Sequence, residues 1–321
     1  MNKHTENSLI PDYSCSIAIP YYISNEDEKS SSFTFILSDL SVDYSDGEHS
    51  YGGLNLKQTQ QAISWLAAFH AFFYHESRHN LKSTTSFYSK NNQYQKRYKN
   101  VWSEGGYWHL NTRLDELEDI PSSQKIFYTS AHAINQRMNQ NPSSLTIIHG
   151  DFKSANILFG TNQCAVVDFQ YCGYGYGVKD LVMLIVSSVS SRVLDEVGED
   201  KLLQLYANAL KHNLHVINRL SSQDVNGDTN HNINHDYSFA EISDELKIKS
   251  QYELALVDYM RFMAGWGIWG TNSDYAEERA SKILETIYSS WSRSENHKSA
   301  CDLAQKDWTE AINEFYPIHL F

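Results

Sequence analysis

The hydrophobic and polar positions near the start of the chain follow a pattern that is typical of strands. Two segments, residues 14–24 and 31–40, are rich in Ile, Tyr and Phe, and the polar turn NEDEK separates them. The pattern predicts a β-hairpin.

Most of the later chain carries apolar residues at helical spacing. Between positions 57 and 76 they recur every three or four residues, which predicts one buried helix. Pro121 and Ser122 mark the start of a second helix that we expect to reach position 139. From Gly177 onward the same periodicity predicts further helical segments at 178–196, 199–218, 240–268, 274–292 and 300–315.

The stretch between the second helix and Gly177 breaks this pattern. Three short apolar runs, LTII, NILF and CAVVDF, are divided by polar or turn-forming residues and predict three short strands. Few, short strands beside many helices indicate an α+β fold.

A polar segment, SSQDVNGDTNHNINHD at residues 221–236, lies between two of the predicted helices. Its Asp and Asn spacing weakly resembles a calcium loop, but the glycine falls at Gly227 and no glutamate closes the loop. We therefore expect a disordered surface insertion.

The balance of charged residues limits the kinds of molecule that the protein is expected to bind. The 321 residues carry 26 Lys and Arg against 39 Asp and Glu, a formal net charge of −13. This balance disfavours nucleic acid as a partner, because the phosphate backbone attracts basic surfaces. An acidic surface suits a cationic small molecule, or it only keeps the protein soluble.

The chain shows no targeting or membrane segment by its pattern. Its first residues are polar, and no apolar run approaches the ~20 residues that a membrane span requires. The four cysteines form no CxxC pair. We expect a cytoplasmic protein with reduced thiols and no membrane partner. The sequence does not determine the oligomeric state.

The strongest candidate chemistry lies in IIHGDFKSANILFGTNQCAVVDFQ, residues 147–170. Asp151 follows the first short strand, Asn156 borders the second and Asp168 ends the third. If the second and third strands pair as a hairpin, the chain returns to its starting end and these side chains converge. Because Mg²⁺ prefers oxygen ligands, Asn156 and Asp168 are predicted metal ligands.

The neighbouring residues complete a predicted catalytic group of Asp151, His149 and Lys153. Asp151, off the metal, is free to orient an incoming hydroxyl and to accept its proton during phosphate transfer. Lys153 lies within reach of the transferred phosphoryl oxygens. Gly150 allows a close backbone turn beneath the site.

The constellation H-G-D-x-K-x-x-N followed by V-D-F-Q resembles the catalytic and metal loops of the protein-kinase-like fold. It is most similar to the branch of aminoglycoside phosphotransferases, choline kinases and ecdysteroid-kinase-like proteins. The resemblance implies ATP and Mg²⁺ as cofactors and a small-molecule hydroxyl as acceptor. It also implies Asp151 as the base and Asn156 and Asp168 as metal ligands.

Other segments extend the resemblance from about Ile17 to Leu184. FILSDL resembles the hinge after the small lobe, which implies that Ser38, Asp39 and Leu40 contact the nucleotide. WLAAFHAFFYH resembles the long helix of this branch, and GYGVKDL resembles the segment after the metal loop. YELALVDYMRFMAGWGIW resembles a late helix more weakly.

Several residues carry a structural interpretation beside the functional one. We expect His70 to be a hydrogen-bonded core histidine and Asp180 to be an acceptor that braces the catalytic loop. GYGYG, residues 173–177, lacks the ending of a P-loop and is interpreted as flexible backbone. Five aromatic residues are candidates either for an acceptor pocket or for the core: Trp102, Tyr107, Trp108, Trp266 and Trp269.

The resemblance implies two lobes, with residues 1–40 as a remnant of the nucleotide-binding lobe and 41–321 as the helical lobe. A full small lobe needs on the order of 50 residues before its fourth strand, whereas 14 residues without a glycine precede Cys15. We therefore expect a truncated small β lobe and weak Mg-ATP binding. Two functions remain open: a small-molecule phosphotransferase, or a non-catalytic, pseudokinase-type binding or regulatory module.

Overall fold

The computed structural model describes residues 15–25, 33–44, 53–79, 101–140, 144–223, 242–291 and 299–321. The strands in these ranges are β1 Ser16–Ile17, β2 Pro20–Asn25, β3 Phe33–Leu37, β4 Thr146–Ile148, β5 Ile157–Phe159, β6 Cys164–Val166 and β7 Gly173–Gly175. The α-helices are α1 Leu56–His79, α2 Leu114–Glu118, α3 Lys125–Met138, α4 Val178–Ser187, α5 Ser191–Val197, α6 Glu199–Gln223, α7 Glu245–Trp266, α8 Ser273–Trp291 and α9 Gln305–Phe315. Small sheets beside many helices confirm the predicted α+β class.

The predicted amino-terminal hairpin is present, although its first strand is shorter than expected. β2 and β3 pair antiparallel, with Ile23 opposite Phe35. Ser16–Ile17 instead pairs parallel with β6 in another sheet. The predicted strand 14–24 is therefore divided, and Pro20, which has no N–H to donate, takes the first position of β2. The connecting residues 26–32 lie outside the described residues.

Helix α1 confirms the helix predicted at 57–76 and forms one wall of the core. Asn55 starts it with a reciprocal cap: the Gln58 N–H donates to Asn55 Oδ1 at 3.0 Å, and the Asn55 N–H donates to Gln58 Oε1 at 3.1 Å. Trp65 and Leu66 are buried. The helix packs along α6 and against the strands that carry the predicted site.

The helices after Gly177 follow the predicted segments with two corrections. The segment 178–196 is two helices, because the chain leaves α4 at Ser188 to bond with Leu54. The Ser190 hydroxyl then caps α5 by accepting from the Val193 N–H at 3.3 Å. Helix α6 reaches Gln223, so residues 221–223 are helical instead of disordered. Residues 224–236 of the predicted insertion lie outside the described residues.

Helix α7 runs through the interior of the helical part. The Asp244 carboxylate caps it by accepting from the N–H groups of Leu246 and Lys247, both at 3.0 Å. Gly267, with φ of 117°, ends it. Because α7 contacts α3, α4 and α8, its side chains are buried on nearly every face. None of the described helices has the length and apolar character of a membrane span.

The interpretation of residues 173–177 as flexible backbone is wrong. Gly173–Gly175 is a buried strand that pairs antiparallel with β4, with Tyr174 opposite Ile147. The segment that begins at Val101 runs along its other side, where the Trp102 N–H donates to the Cys172 carbonyl at 3.0 Å. A Cβ at Gly173 would lie 2.6 Å from the Trp102 carbonyl oxygen, so glycine permits this close approach.

Candidate active site

The β5–β6 hairpin brings the two predicted metal ligands to one end of a sheet. Ile157 pairs with Val166, and the Val167 N–H donates to the Asn156 carbonyl at 3.0 Å. Asn156 immediately precedes one strand, and Asp168 follows the other by two residues. The predicted return of the chain is therefore present.

Asn156 and Asp151 are joined directly. The side-chain amide nitrogen of Asn156 donates to the Asp151 carbonyl at 2.8 Å and to Asp151 Oδ2 at 3.2 Å. Both residues are buried. Because the nitrogen is used in this way, Asn156 Oδ1 is left as the acceptor of the amide.

Lys153 forms an ion pair with the predicted base. Its Nζ lies 3.0 Å from Asp151 Oδ2, with 34% of the lysine side chain and 6% of the aspartate side chain exposed. The cation therefore lies at the mouth of the site and fixes one oxygen of the carboxylate. Asp151 Oδ1 receives no hydrogen bond from the described residues.

His149 links the catalytic loop to the metal loop. Its Nε2 donates to the Val167 carbonyl at 3.0 Å, and its Nδ1 accepts from the Asp151 N–H at 3.3 Å. The ring is fully buried and packs against Phe152 and Phe169. Both nitrogens are therefore occupied within the protein.

Asp180 braces the catalytic loop from below, as the sequence predicted. Its carboxylate accepts from the His149 N–H at 2.6 Å and from the Gly150 N–H at 2.8 Å. It also accepts from His70 Nε2 at 3.1 Å, while the His70 Nδ1 pairs with the Tyr206 hydroxyl at 2.8 Å. His70 is thus the expected hydrogen-bonded core histidine.

Asp168 has an unusual backbone conformation. Its φ of 67° is the only positive φ at a non-glycine position among the described residues. The side chain is exposed, and its Oδ2 accepts from the Gln170 side chain at 3.3 Å. Strained backbone of this kind costs energy and is concentrated at functional sites.

The predicted hinge residues follow β3 directly. The Ser38 N–H donates to the Ile19 carbonyl, and the Ile19 N–H donates to the Ser38 hydroxyl, both at 2.8 Å. The Asp39 carboxylate caps the next turn through the Ser41 N–H at 2.8 Å, and this hydrogen bond lowers the pKa of Asp39. The backbone N–H and the hydroxyl of Ser38 are therefore both used to close the hairpin. Leu40 is the first residue of the turn that follows.

The candidate metal ligands Asn156 and Asp168 are both oxygen donors. The described residues contain no group of three or more His, Cys, Asp or Glu side chains placed to hold an ion. Asn156 and Asp168 would contribute one amide oxygen and one carboxylate. Such a donor set fits Mg²⁺, which retains several waters and binds substrate phosphates.

A cavity of about 190 Å³ borders the catalytic loop, and most of its lining was missed by the sequence analysis. It is lined by Tyr171 and by residues between Trp102 and Arg113, including Glu104 and His109. The Tyr107 N–H donates to the Gly150 carbonyl at 3.0 Å, which attaches the cavity wall to the catalytic loop. The sequence feature that could have indicated this cavity is the segment EGGYWH, in which two glycines stand among charged and aromatic residues.

Of the five predicted aromatic candidates, two line this cavity, one contacts its wall, one lies in the core and one is at the surface. Trp102 and Tyr107 line the cavity, and Trp266 contacts Tyr107 with the ring centroids 5.6 Å apart. Trp108 is buried against Tyr259 in the core. Trp269 is partly exposed and does not line the cavity.

The sequence analysis also missed Tyr259. Burial raises the pKa of this phenol, and the nearby Asp151 carboxylate raises it further. The hydroxyl is buried and has no hydrogen-bond partner among the described residues. The phenol therefore stays protonated beside the catalytic loop.

The structure brings Asp151, Asn156 and Asp168 around one hairpin, and these residues carry the resemblance to the kinase-like class. The family model of the ecdysteroid kinase-like family matches residues 9–219, well over half of the chain. The chain belongs to the ecdysteroid kinase-like family.

Solved structures with a similar arrangement are distant in sequence. One is a choline/ethanolamine kinase family protein from Mesorhizobium loti, with 11% identity, coverage of 92% of this chain and 79% of that chain, and a TM-score of 0.35. Another is a choline kinase from Cryptosporidium parvum Iowa II, with 10% identity, coverage of 74% and 68%, and a TM-score of 0.34. The comparison with curated proteins found no match.

Proposed function

We propose that this protein is an ATP-dependent phosphotransferase that acts on a hydroxyl of a small molecule. The main support for the proposal is that the Asp151 carboxylate accepts hydrogen bonds from both Lys153 and Asn156. These residues lie at the end of the hairpin where Asp168 also lies. The family membership supports the same class of reaction.

Asp151 is the proposed general base. Lys153 and Asn156 hold Oδ2, and Oδ1 is left to accept a hydrogen bond from the acceptor hydroxyl. As the acceptor oxygen bonds to the γ-phosphorus and the bond to the ADP oxygen breaks, the hydroxyl proton passes to Asp151. The products are a phosphate ester, ADP and one proton.

Asn156 and Asp168 are the proposed ligands of Mg²⁺. The ion supplies positive charge to the phosphate oxygens when it is bound. Asn156 performs two tasks with one amide, because its nitrogen holds Asp151 and its oxygen is left for the ion. The left-handed backbone at Asp168 supports a role that demands a fixed carboxylate direction.

Lys153 and His149 are assigned different roles. Lys153, partly exposed, is placed to stabilise negative charge on the transferred phosphoryl group while it orients Asp151. His149 is buried and has both nitrogens occupied, so we assign it a positioning role between the two loops. The segment Ser38, Asp39 and Leu40 is the proposed contact for the adenine.

The proposed function is tested by transfer of labelled γ-phosphate to water and to a set of small alcohols. We expect Mg²⁺-dependent transfer by the wild type and a loss of about 100-fold or more in Asp151→Asn, the usual range for a general base. Asp195→Asn, an exposed position outside the site, is the matched control. Binding of Mg-ATP without transfer to any acceptor would instead favour a non-catalytic binding module.

A further inference from the structure

The walls of the cavity are hydrogen-bonded to the catalytic and metal loops. Trp102 lies against the metal loop, since its Nε1 donates to the Gln170 carbonyl at 2.8 Å. Tyr107 is bonded to the residue that precedes Asp151, as described above. A molecule in this cavity would therefore lie next to both loops.

The aromatic face inside the cavity is already covered by a cation of the protein. The guanidinium carbon of Arg113 lies 4.1 Å from the centre of the Tyr107 ring and 5.9 Å from that of Trp266. Arg113 Nε also donates to the Tyr107 carbonyl at 2.8 Å. A quaternary ammonium group would have to compete with this guanidinium for the ring.

The charged groups around the cavity are balanced without a ligand. Lys179 Nζ lies 3.7 Å from Glu104 Oε1 and 3.9 Å from Asp258 Oδ2. Arg261 Nε lies 3.0 Å from Asp258 Oδ1. The cavity cation Arg113 is paired as well, since its Nη1 lies 3.7 Å from Glu116 Oε1. Three carboxylates thus face three cations, so a ligand charge would leave an excess of one sign in a largely buried place.

One oxygen of Glu104 nevertheless lacks a hydrogen-bond donor. Its Oε1 is buried and has no hydrogen-bond partner among the described residues, and its Oε2 lies 3.5 Å from His109 Nδ1, a long distance for a hydrogen bond. The carboxylate side chain is only 11% exposed. A largely buried carboxylate with an oxygen that has no donor is unfavourable, so a ligand O–H group would stabilise it.

We propose that this cavity binds the acceptor as a small, neutral ring alcohol, and that Glu104 determines specificity by accepting a hydrogen bond from a ligand hydroxyl. The proposal rests on the proposed phosphotransfer function and names its substrate class. A neutral hydroxyl satisfies Glu104 without disturbing the charge balance, whereas a quaternary ammonium has no hydrogen to donate. Pockets for drug-sized ligands measure about 300–1,000 Å³, so about 190 Å³ suits a single ring.

The test measures binding by calorimetry in the absence of ATP, with trans-1,4-cyclohexanediol and tetramethylammonium as probes, because tetramethylammonium has no hydroxyl to donate. We expect the diol to bind the wild type more tightly than tetramethylammonium does. Glu104→Gln should weaken diol binding by about tenfold, the loss typical of a hydrogen bond to a charged group. Glu285→Gln, on the exposed side of α8, is the matched control and should not change it.

A second variant gives a gain that misfolding cannot mimic. Arg113→Gln removes the internal cation from Tyr107 and should raise tetramethylammonium affinity by about 2- to 30-fold, the range of a cation–π contact. Arg192→Gln, whose side chain is 83% exposed in the wild type, is its control.

Three results would overturn the proposal: tetramethylammonium binding the wild type at least as tightly as the diol, no effect of Glu104→Gln in folded protein, or no binding of either probe. Unchanged tetramethylammonium binding in Arg113→Gln would also overturn it. Diol binding without phosphate transfer would leave the cavity assignment intact and contradict the proposed function instead.

Discussion

The side-chain nitrogen of Asn156 donates to Asp151 Oδ2 at 3.2 Å, so the proposed metal ligand and the proposed base are coupled by one amide. The same nitrogen also donates to the Asp151 carbonyl at 2.8 Å. The direction of Asn156 Oδ1 is therefore fixed by the residue that would accept the proton. A change at either position is expected to disturb both functions.

Gly150 provides a test of the close turn beneath the site. Its φ is 83°, and a Cβ there would lie 2.8 Å from the Gly106 N–H nitrogen and would also collide with the Tyr171 carbonyl. Gly150→Ala should lower the free energy of unfolding through both backbone strain and this collision. Left-handed strain alone costs about 1–3 kcal/mol.

Gly198→Ala is the matched control for Gly150→Ala. Gly198 has nearly the same φ, 85°, but a Cβ at that position meets no atom within 4 Å. Chemical denaturation should show a larger loss for Gly150→Ala than for Gly198→Ala. Equal losses would contradict the close contact between the catalytic loop and residues 106 and 171.

Asp180 is expected to matter through the catalytic loop that it supports. In Asp180→Asn, one carboxylate oxygen becomes an NH₂ group that faces either the Gly150 N–H, or both the His149 N–H and His70 Nε2. Leaving one of these buried groups unpaired costs about 1–3 kcal/mol of stability. The variant should also increase hydrogen exchange at the His149 and Gly150 amides, and unchanged exchange there would contradict the bracing role.

The lowered pKa of His109 is expected to make the folding stability of the protein depend on pH. Burial lowers the pKa of this histidine below its ordinary value of 6.5, although the Glu104 carboxylate opposes the shift. The unfolded chain therefore binds a proton at this residue more readily than the folded chain does. Its contribution to stability is present above pH 6.5 and is lost as the pH falls below that value, by at most about 1.4 kcal/mol per pH unit.

His109→Gln should reduce this acid sensitivity, because the proton-binding group is absent. Denaturation at several pH values below 6.5 measures the slope. His132→Gln, at an exposed position on α3, is the matched control. A slope that is the same in wild type and His109→Gln would contradict the prediction.

The sequence predicted the β5–β6 hairpin because the information there is local. Asp151, Asn156 and Asp168 are separated by short strands and tight turns, and pairing of two neighbouring strands is enough to bring the loops together. Asp180 was identified by its place in a resembling segment. Its hydrogen bonds to the catalytic loop then followed the expected pattern.

The cavity could not be predicted in the same way, because distant segments form it. Arg261 Nη2 donates to the Trp108 carbonyl at 2.7 Å across 153 positions, and Trp102 pairs with Gly173. The burial of Gly173–Gly175 depends on that pairing, whereas a glycine-rich sequence taken alone is typical of loops. The division of the chain into two domains at residue 40 stays a prediction.

The central claim, that Asn156 and Asp168 hold Mg²⁺ for phosphate transfer, is tested most directly by calorimetric titration with ATP in the presence and absence of Mg²⁺. Asp168→Asn is the informative variant, since asparagine tolerates the left-handed backbone and removes only the charge. We predict Mg²⁺-dependent ATP binding by the wild type and by Asp195→Asn, weakened by about tenfold or more in Asp168→Asn. ATP binding that is independent of Mg²⁺, or equal in wild type and Asp168→Asn, would contradict the account.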